Sequence, residues 1–448
     1  MELTRAVLRF AAGRPHVLLL EVPGGTATRL AAEVELRRRG WPAAASPAEA
    51  DVVVLAGTVG ARLTPMMGLL WRQVPKPRVF AHLDDAATVP QVLDEARRRL
   101  ATGGETWEAF AGEEQDGDES HEGRHGDEHG GDSDHGDGDH EDTSTGGGDH
   151  GSGHEGGGEQ GGGDDHGGGH DHGGGHGHDH GGMEMPGGLS MAGREPDRDG
   201  LQLDQLHVPL GPLLPDWPAG LVVHTTLQGD VVQQAEVDVL REGSVHEGFW
   251  DEPWRRVGSG REVARGEGAR RRVAGYLDSL AGFLRVAGWP DPAVGVARSR
   301  DELLTGARAE QVAPRLRRLI RRLRRARTLR WLTDGLGVLS SARAESAGFE
   351  GTVLRASRGG GDVTARWQTW LTEIERILPQ IDDTTALPAE NALLQGESSE
   401  DPRSLPALAV LTELLEGAEL AAARLIVASL DPDVTALGGR AATEVVGD

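Results

Sequence analysis

Residues 103 to 182 contain almost nothing that a protein can bury. Of these 80 positions, 30 are glycine and 23 are Asp or Glu, set against a single base, Arg124. Ordering a backbone costs roughly 1–2 kcal/mol per residue, and a stretch so poor in apolar side chains cannot offset that. The segment is therefore expected to be disordered, and the chain must fold as one part before it and another after it. It also holds most of the acidity: of a net charge of −26, the segment carries −22 and the rest of the chain −4. Eighty Gly-rich residues have a root-mean-square span of about 50 Å. That is ample for the flanking parts to pack against each other.

The 448 residues include no cysteine. Disulfides, thiolate metal sites, iron–sulfur ligation and thiol nucleophiles all need a Cys sulfur, so this chain alone provides none of them. No apolar run approaches the roughly 20 residues that span a bilayer. The apolar run near the N-terminus lacks a small-residue cleavage site and suits a buried strand better than a signal peptide. A cytoplasmic protein is expected.

The first part, residues 1–102, alternates short Val/Leu-rich runs with helical patterns. VLLLEV (17–22), VVVLAGTV (52–59) and RVFAHL (78–83) suit strands covered on both faces. TRLAAEVELRRRG (28–40), TPMMGLLWRQV (64–74) and VPQVLDEARRRL suit helices; Gly40 marks a helix end, and Thr64–Pro65 an N-cap followed by N1. This predicts a small α/β domain with a parallel sheet, a flavodoxin-like half. Residues 103–200 then form a Gly/His/Asp-rich linker. In the last part, 201–448, GLVVHTTLQGDVVQQAEVDVL (220–240) alternates on both sides of Gln228–Gly229–Asp230, a hairpin signal. Helical stretches across 268–330, around 367 and towards the C-terminus make this part α+β, with a helical-bundle core.

Four stretches then become specific. ADVVVLAGTVGARLTPMMGLLWRQVPKPRVFAHLDD (50–85) resembles the 20 kDa iron–sulfur subunit of complex I and the small subunit of nickel–iron hydrogenases. The likeness rests on a strand, Gly57–Thr58–Val59, a Met-containing helix, and Pro75–Lys76–Pro77 before the next strand. GPLLPDWPAGLVVHTTLQGDVVQQAEVDV, LTDGLGVLSSARAESAGFEGTVLRASRGGGD and LIVASLDP resemble the 49 kDa subunit of complex I and the hydrogenase large subunit. The chain thus looks like a fusion of the two subunits.

The resemblance also implies where metal ligands would stand, and they are missing. Gly25 and Thr28 best match cysteines of the small-subunit cluster, and a later one falls among His82, Leu83, Asp84 and Asp85. Asp433 and Ala436 stand where the hydrogenase large subunit has thiolates. The quinone-facing positions of complex I correspond to Leu214–Pro215 and Ala219–Gly220. A cluster held by no thiolate is not a cluster in this family's sense, and fold alone does not carry activity. No cofactor and no catalytic residue is therefore expected, and the chain by itself is not expected to be an enzyme.

Other features carry blander readings beside sharper ones. Thirteen of the 18 histidines lie between 121 and 180. His166, His170, His172, His176, His178 and His180 are spaced to share labile Ni or Zn, yet His, Asp and Gly also simply keep a tether soluble. His82, Asp84, Asp85 and Asp433 are more simply loop residues than a metal site. Nine arginines in 314–330 suggest stems covering a bundle surface with heads meeting carboxylates, those of the acidic segment itself among the candidates, rather than a nucleic-acid site. GGTATRL and SRGGGD fit turns, not phosphate fingerprints. The leading expectation is a cofactor-free structural or assembly subunit of a respiratory or ion-translocating complex related to complex I and membrane-bound hydrogenases. Its partners would be membrane-embedded antiporter-like or quinone-module subunits; it would sit on the cytoplasmic face without inserting into the membrane. The alternatives are a nickel- or zinc-handling protein using the His-rich segment, and an NADH-quinone oxidoreductase-type electron-transfer subunit working with cofactor-bearing partners.

Overall fold

The computed structural model describes residues 12–105, 194–196, 202–240, 248–388 and 404–434. In the first part, β1 (Val17–Glu21), β2 (Val52–Ala56) and β3 (Val79–Leu83) form a parallel sheet in the order β1-β2-β3. All five side chains of β2 are buried, as its unbroken VVVLA run requires of a central strand covered on both faces. One face, through Leu18, Leu20, Val53 and Leu55, packs on Leu63, Met67 and Leu70 in and before α2 (Thr64–Gln73). The other face, through Val17, Val52, Val54 and Val79, packs on α1 (Thr26–Arg39) and α3 (Val89–Ala101). The parallel sheet expected from the sequence is therefore present. Gly40 ends α1 with φ of 68°, a left-handed cap that an L side chain adopts only with strain. Helix α2 starts one residue earlier than expected: Leu63 is the N-cap, which places Thr64 at N1 and Pro65 at N2.

The later part opens with an antiparallel sheet, ordered β4 (Arg194–Pro196), β5 (Gln202–Leu210), β6 (Leu221–Gln228) and β7 (Val231–Val239). The expected hairpin is there: Gln228 pairs with Val231 across a turn in which Gly229 takes φ of 62°. Helices α4 (Glu252–Gly258), α5 (Arg265–Val286), α6 (Pro290–Leu304), α7 (Ala309–Arg324) and α8 (Arg327–Thr333) follow. The arginine-rich stretch is thus two helices. Helices α9 (Ser341–Ser346) and α10 (Gly351–Arg358) fill the glycine-punctuated stretch, where Gly335, Gly337, Gly348, Gly360 and Gly361 all have positive φ. Helices α11 (Val363–Ile377), α12 (Ser404–Leu415) and α13 (Leu420–Leu430) complete a bundle whose core includes Leu277, Phe283, Leu316, Trp367, Leu371 and Ile426.

The parts on either side of 115–191 form one compact unit. Leu213, Val222 and Leu240 of the later part belong to the same apolar cluster as Leu18, Leu55, Met67 and Trp71 of the first. Of the linker 103–200, expected to be disordered, residues 194–196 are instead strand β4, paired with β5; apart from these and 103–105 it lies outside the described residues. Among the described residues, no helix is long and apolar enough to cross a membrane.

Candidate functional site

Where the two parts meet, a seam of charged side chains borders a cavity of about 1130 Å3. Helix α1 presents Arg29, Glu33 and Arg37 at four-residue spacing, one above another on the same face. Helices α5 and α6 of the later part present Asp278, Arg285, Arg300 and Asp301. The Arg29 guanidinium donates to Glu21 (2.5 Å), Glu33 (2.6 Å) and both oxygens of Asp278 (2.6 and 3.2 Å). Arg300 donates to Asp278 (2.5 Å), Glu33 (2.9 Å) and Asp301 (2.7 Å). Arg37 also pairs with Asp301, and Arg285 donates to Asp216 at 2.6 Å. The Arg300 side chain is completely buried.

These groups titrate differently because burial and pairing oppose each other at every carboxylate. At Glu33, burial pushes the carboxyl up, but Arg300, Arg29 and Arg285 outweigh it and hold the group well below the usual carboxylate range. Asp278 follows the same logic: burial raises it, and Arg29 and Arg300 bring it below its ordinary value. At Glu21, burial prevails over Arg29 and the Thr26 hydroxyl, so its carboxyl is raised. Asp216 is raised as well, because burial exceeds what Arg285 returns. Burial alone would lower Arg300, but Glu33 and Asp278 hold it above the ordinary guanidinium value. The arrangement is a structural clasp with two carboxyls, Glu21 and Asp216, that take up a proton more readily than their neighbours. Both line the cavity, together with Trp41, Trp217, Trp250 and Tyr276.

The structure brings several positions singled out from the sequence to this boundary. Gly25 and Thr28 sit at the carboxyl end of β1, where open α/β sheets usually bind ligands. Leu214, Pro215, Ala219 and Asp433 line the cavity. A Cβ built on Gly220 would lie 3.0 Å from Pro23 and 3.6 Å from Val434, so three loops from distant parts of the sequence converge there. Ala436 and the linker histidines His166, His170, His172, His176, His178 and His180 lie outside the described residues. His82 is not a loop residue but lies in β3, where its ring donates to the Gly57 carbonyl oxygen 25 positions away (2.7 Å) and pairs with Asp84 (3.2 Å), while Asp85 caps the Ala87 N–H in the loop beyond.

An iron–sulfur cluster does not fit the carboxyl end of β1. The chain offers no thiolate, and the backbone has closed over the position. A Cβ on Gly25 would stand 2.0 Å from the carbonyl oxygen of Ala56. One on Gly57, at φ of 106°, would stand 2.8 Å from Val22 and 2.9 Å from the Cα of Gly25. Thr28 is buried at 4% exposure. Among the described residues, no three His, Asp or Glu side chains are grouped to hold a metal ion.

No family model matches the chain. Over 48 residues, 11% of this chain, it is 42% identical to the NADH-quinone oxidoreductase subunit designated B from Hydrogenobaculum sp. (strain Y04AAS1). It is 44% identical over 48 residues to the same subunit from Aquifex aeolicus (strain VF5). These matches span 27% of each curated relative, so the chain covers about a quarter of their length. Among solved structures it is similar, at 16% identity and a TM-score of 0.38, to a chain of the membrane-bound sulfane sulfur reductase, an archaeal respiratory membrane complex; the match covers 52% of this chain and 98% of that one. The sequence likeness is thus to one subunit of NADH-quinone oxidoreductase, over a short stretch.

Proposed function

We propose that the chain is a cofactor-free structural or assembly subunit of a complex I-related assembly, in which counterparts of two electron-transfer subunits are joined in one polypeptide. The observation that carries this reading is the closed backbone at Gly25, where a side chain of any kind would meet the Ala56 carbonyl. A site kept for a cluster would need room for a ligand there; this one is filled by the protein's own main chain. The short similarity to one subunit of NADH-quinone oxidoreductase supports the complex I relationship. What the fold then offers is a rigid body: two parts sharing an apolar cluster and clasped by buried ion pairs. Its partners would be membrane-embedded subunits of the same assembly. Affinity purification of the tagged chain from native membranes tests the assignment, with co-purifying membrane subunits as the expected result. Recovery of the chain alone would sink the assembly role. Stoichiometric iron in the polypeptide produced without partners would sink the cofactor-free one.

A further inference from the structure

We propose that the outer face of α7 and α8 binds the anionic headgroups of a membrane surface. Helix α7 buries Val312, Ala313, Leu316, Ile320 and Leu323 in the bundle, which turns its arginines outward. Arg315 pairs with Glu302 and Arg324 with Glu375. Arg317, Arg318, Arg321, Arg322, Arg325, Arg327 and Arg330 are exposed and make no ion pair with any described residue. Among the described residues, two of the nine heads meet carboxylates; the carboxylates of 106–193 lie outside them.

A ridge of guanidinium groups without carboxylate partners among the described residues is attracted to anions of any kind, and a second feature narrows the choice. Trp331 is 82% exposed, the most exposed large apolar side chain among the described residues. It follows Arg327 and Arg330 at helical spacing, so all three share one face of α8. Leu332 and Val338 are exposed just beyond it. Tryptophan beside arginine suits the headgroup boundary of a bilayer, where the ring rests among glycerol and acyl groups and the guanidiniums meet phosphate. A single-stranded nucleic acid would also stack on Trp331, but Leu332 and Val338 offer a base no ring to stack on, while acyl chains accept them. Outside residues 103–182 the chain carries only −4 of its net charge of −26. The contact is electrostatic adsorption with a shallow anchor, and needs no spanning segment.

The test uses the full chain and two kinds of vesicle, phosphatidylcholine alone and phosphatidylcholine mixed with phosphatidylglycerol. Co-sedimentation is expected only with the mixed vesicles, and should disappear as salt is raised. Replacing Arg321, Arg322, Arg325 and Arg327 together by Gln should weaken that binding at least about tenfold, while Lys at the same four positions restores it. Trp331→Ala should weaken binding without changing its dependence on phosphatidylglycerol. Equal sedimentation with both vesicles, or none with either, overturns the proposal. So does a Gln variant that binds as well as the parent. Failure of the Lys variant to restore binding also counts against it, as does loss of oligonucleotide binding in the Gln variant when vesicles are never bound.

Discussion

Two glycines, one at the carboxyl end of the parallel sheet and one in the hairpin turn, show how much an absent side chain can decide. Gly25 has an ordinary φ of −82°, so its need for glycine is steric rather than conformational. Gly25→Ala should therefore cost about 3 kcal/mol or more, because the blocking atom is a backbone carbonyl that cannot swing aside. Gly229 is the contrast. It sits in the β6–β7 turn at φ of 62° with nothing within 4 Å of an added Cβ. Asn tolerates that left-handed conformation, so Gly229→Asn should cost less than about 1 kcal/mol. Chemical denaturation of both variants measures the difference; similar losses would mean the Gly25 loop is free to move aside. The sequence pointed to Gly25 only through motif resemblance. The reason for it, a main-chain oxygen 2.0 Å from where a Cβ would stand, joins residues 31 positions apart and leaves no local signature.

At the scale of elements, the seam between α1 and the α5–α6 pair governs the response to pH and to substitution. Arg300 is fully enclosed and neutralises three carboxylates, Glu33, Asp278 and Asp301. Arg300→Met would leave them facing one another without it, at a cost of roughly 3–5 kcal/mol. Adding Asp278→Asn to that variant should recover part of the loss, since it removes one of the stranded charges; a second variant no better than the first would show that the pairs act independently. The pH response has two arms. Glu21 and Asp216 are raised, so the folded state binds their protons more tightly than the unfolded state does. Stability should therefore rise slightly as pH falls from neutral towards the ordinary carboxylate range. Glu33 and Asp278 are depressed, so what they contribute is complete above that range and is lost as pH falls through their lowered values. Denaturation midpoints measured across acidic pH should show a shallow maximum, which Glu21→Gln should flatten. A steady loss beginning near neutrality would contradict this account. The strands, the hairpin and most of the helices were legible from periodicity, because each pattern is local. The seam was not: Arg29 and Asp278 lie 249 positions apart, and Glu33 and Arg300 lie 267 apart. The only trace on the sequence is the Arg29–Glu33–Arg37 spacing, which reads as an ordinary solvated stripe until a partner helix covers it.

For the whole molecule, the question is what holds its two parts together: the covalent connection through 103–182 or the surfaces themselves. Composition led to the expectation that this segment adds nothing to a core and that its length permits packing, but did not indicate which faces would meet. In the structure, one side of the boundary is apolar, where Leu213, Val222 and Leu240 join Leu18, Leu55, Met67 and Trp71. The other side is the ionic seam, whose best-buried member is wholly removed from solvent. Buried pairs are screened by salt far less than exposed ones, and apolar burial does not weaken with added salt. The surfaces should therefore hold without the connection. A protease site introduced between 115 and 191 and cut after folding should leave both fragments co-eluting at physiological ionic strength and also in high salt. The same cut in the Arg300→Met variant should let them separate at lower denaturant than the parent pair, because the seam would then lack the arginine that Glu33, Asp278 and Asp301 share. If the parent fragments part as soon as the chain is cut, the connection and not the seam holds the molecule together, and the rigid body on which a scaffolding role depends does not exist.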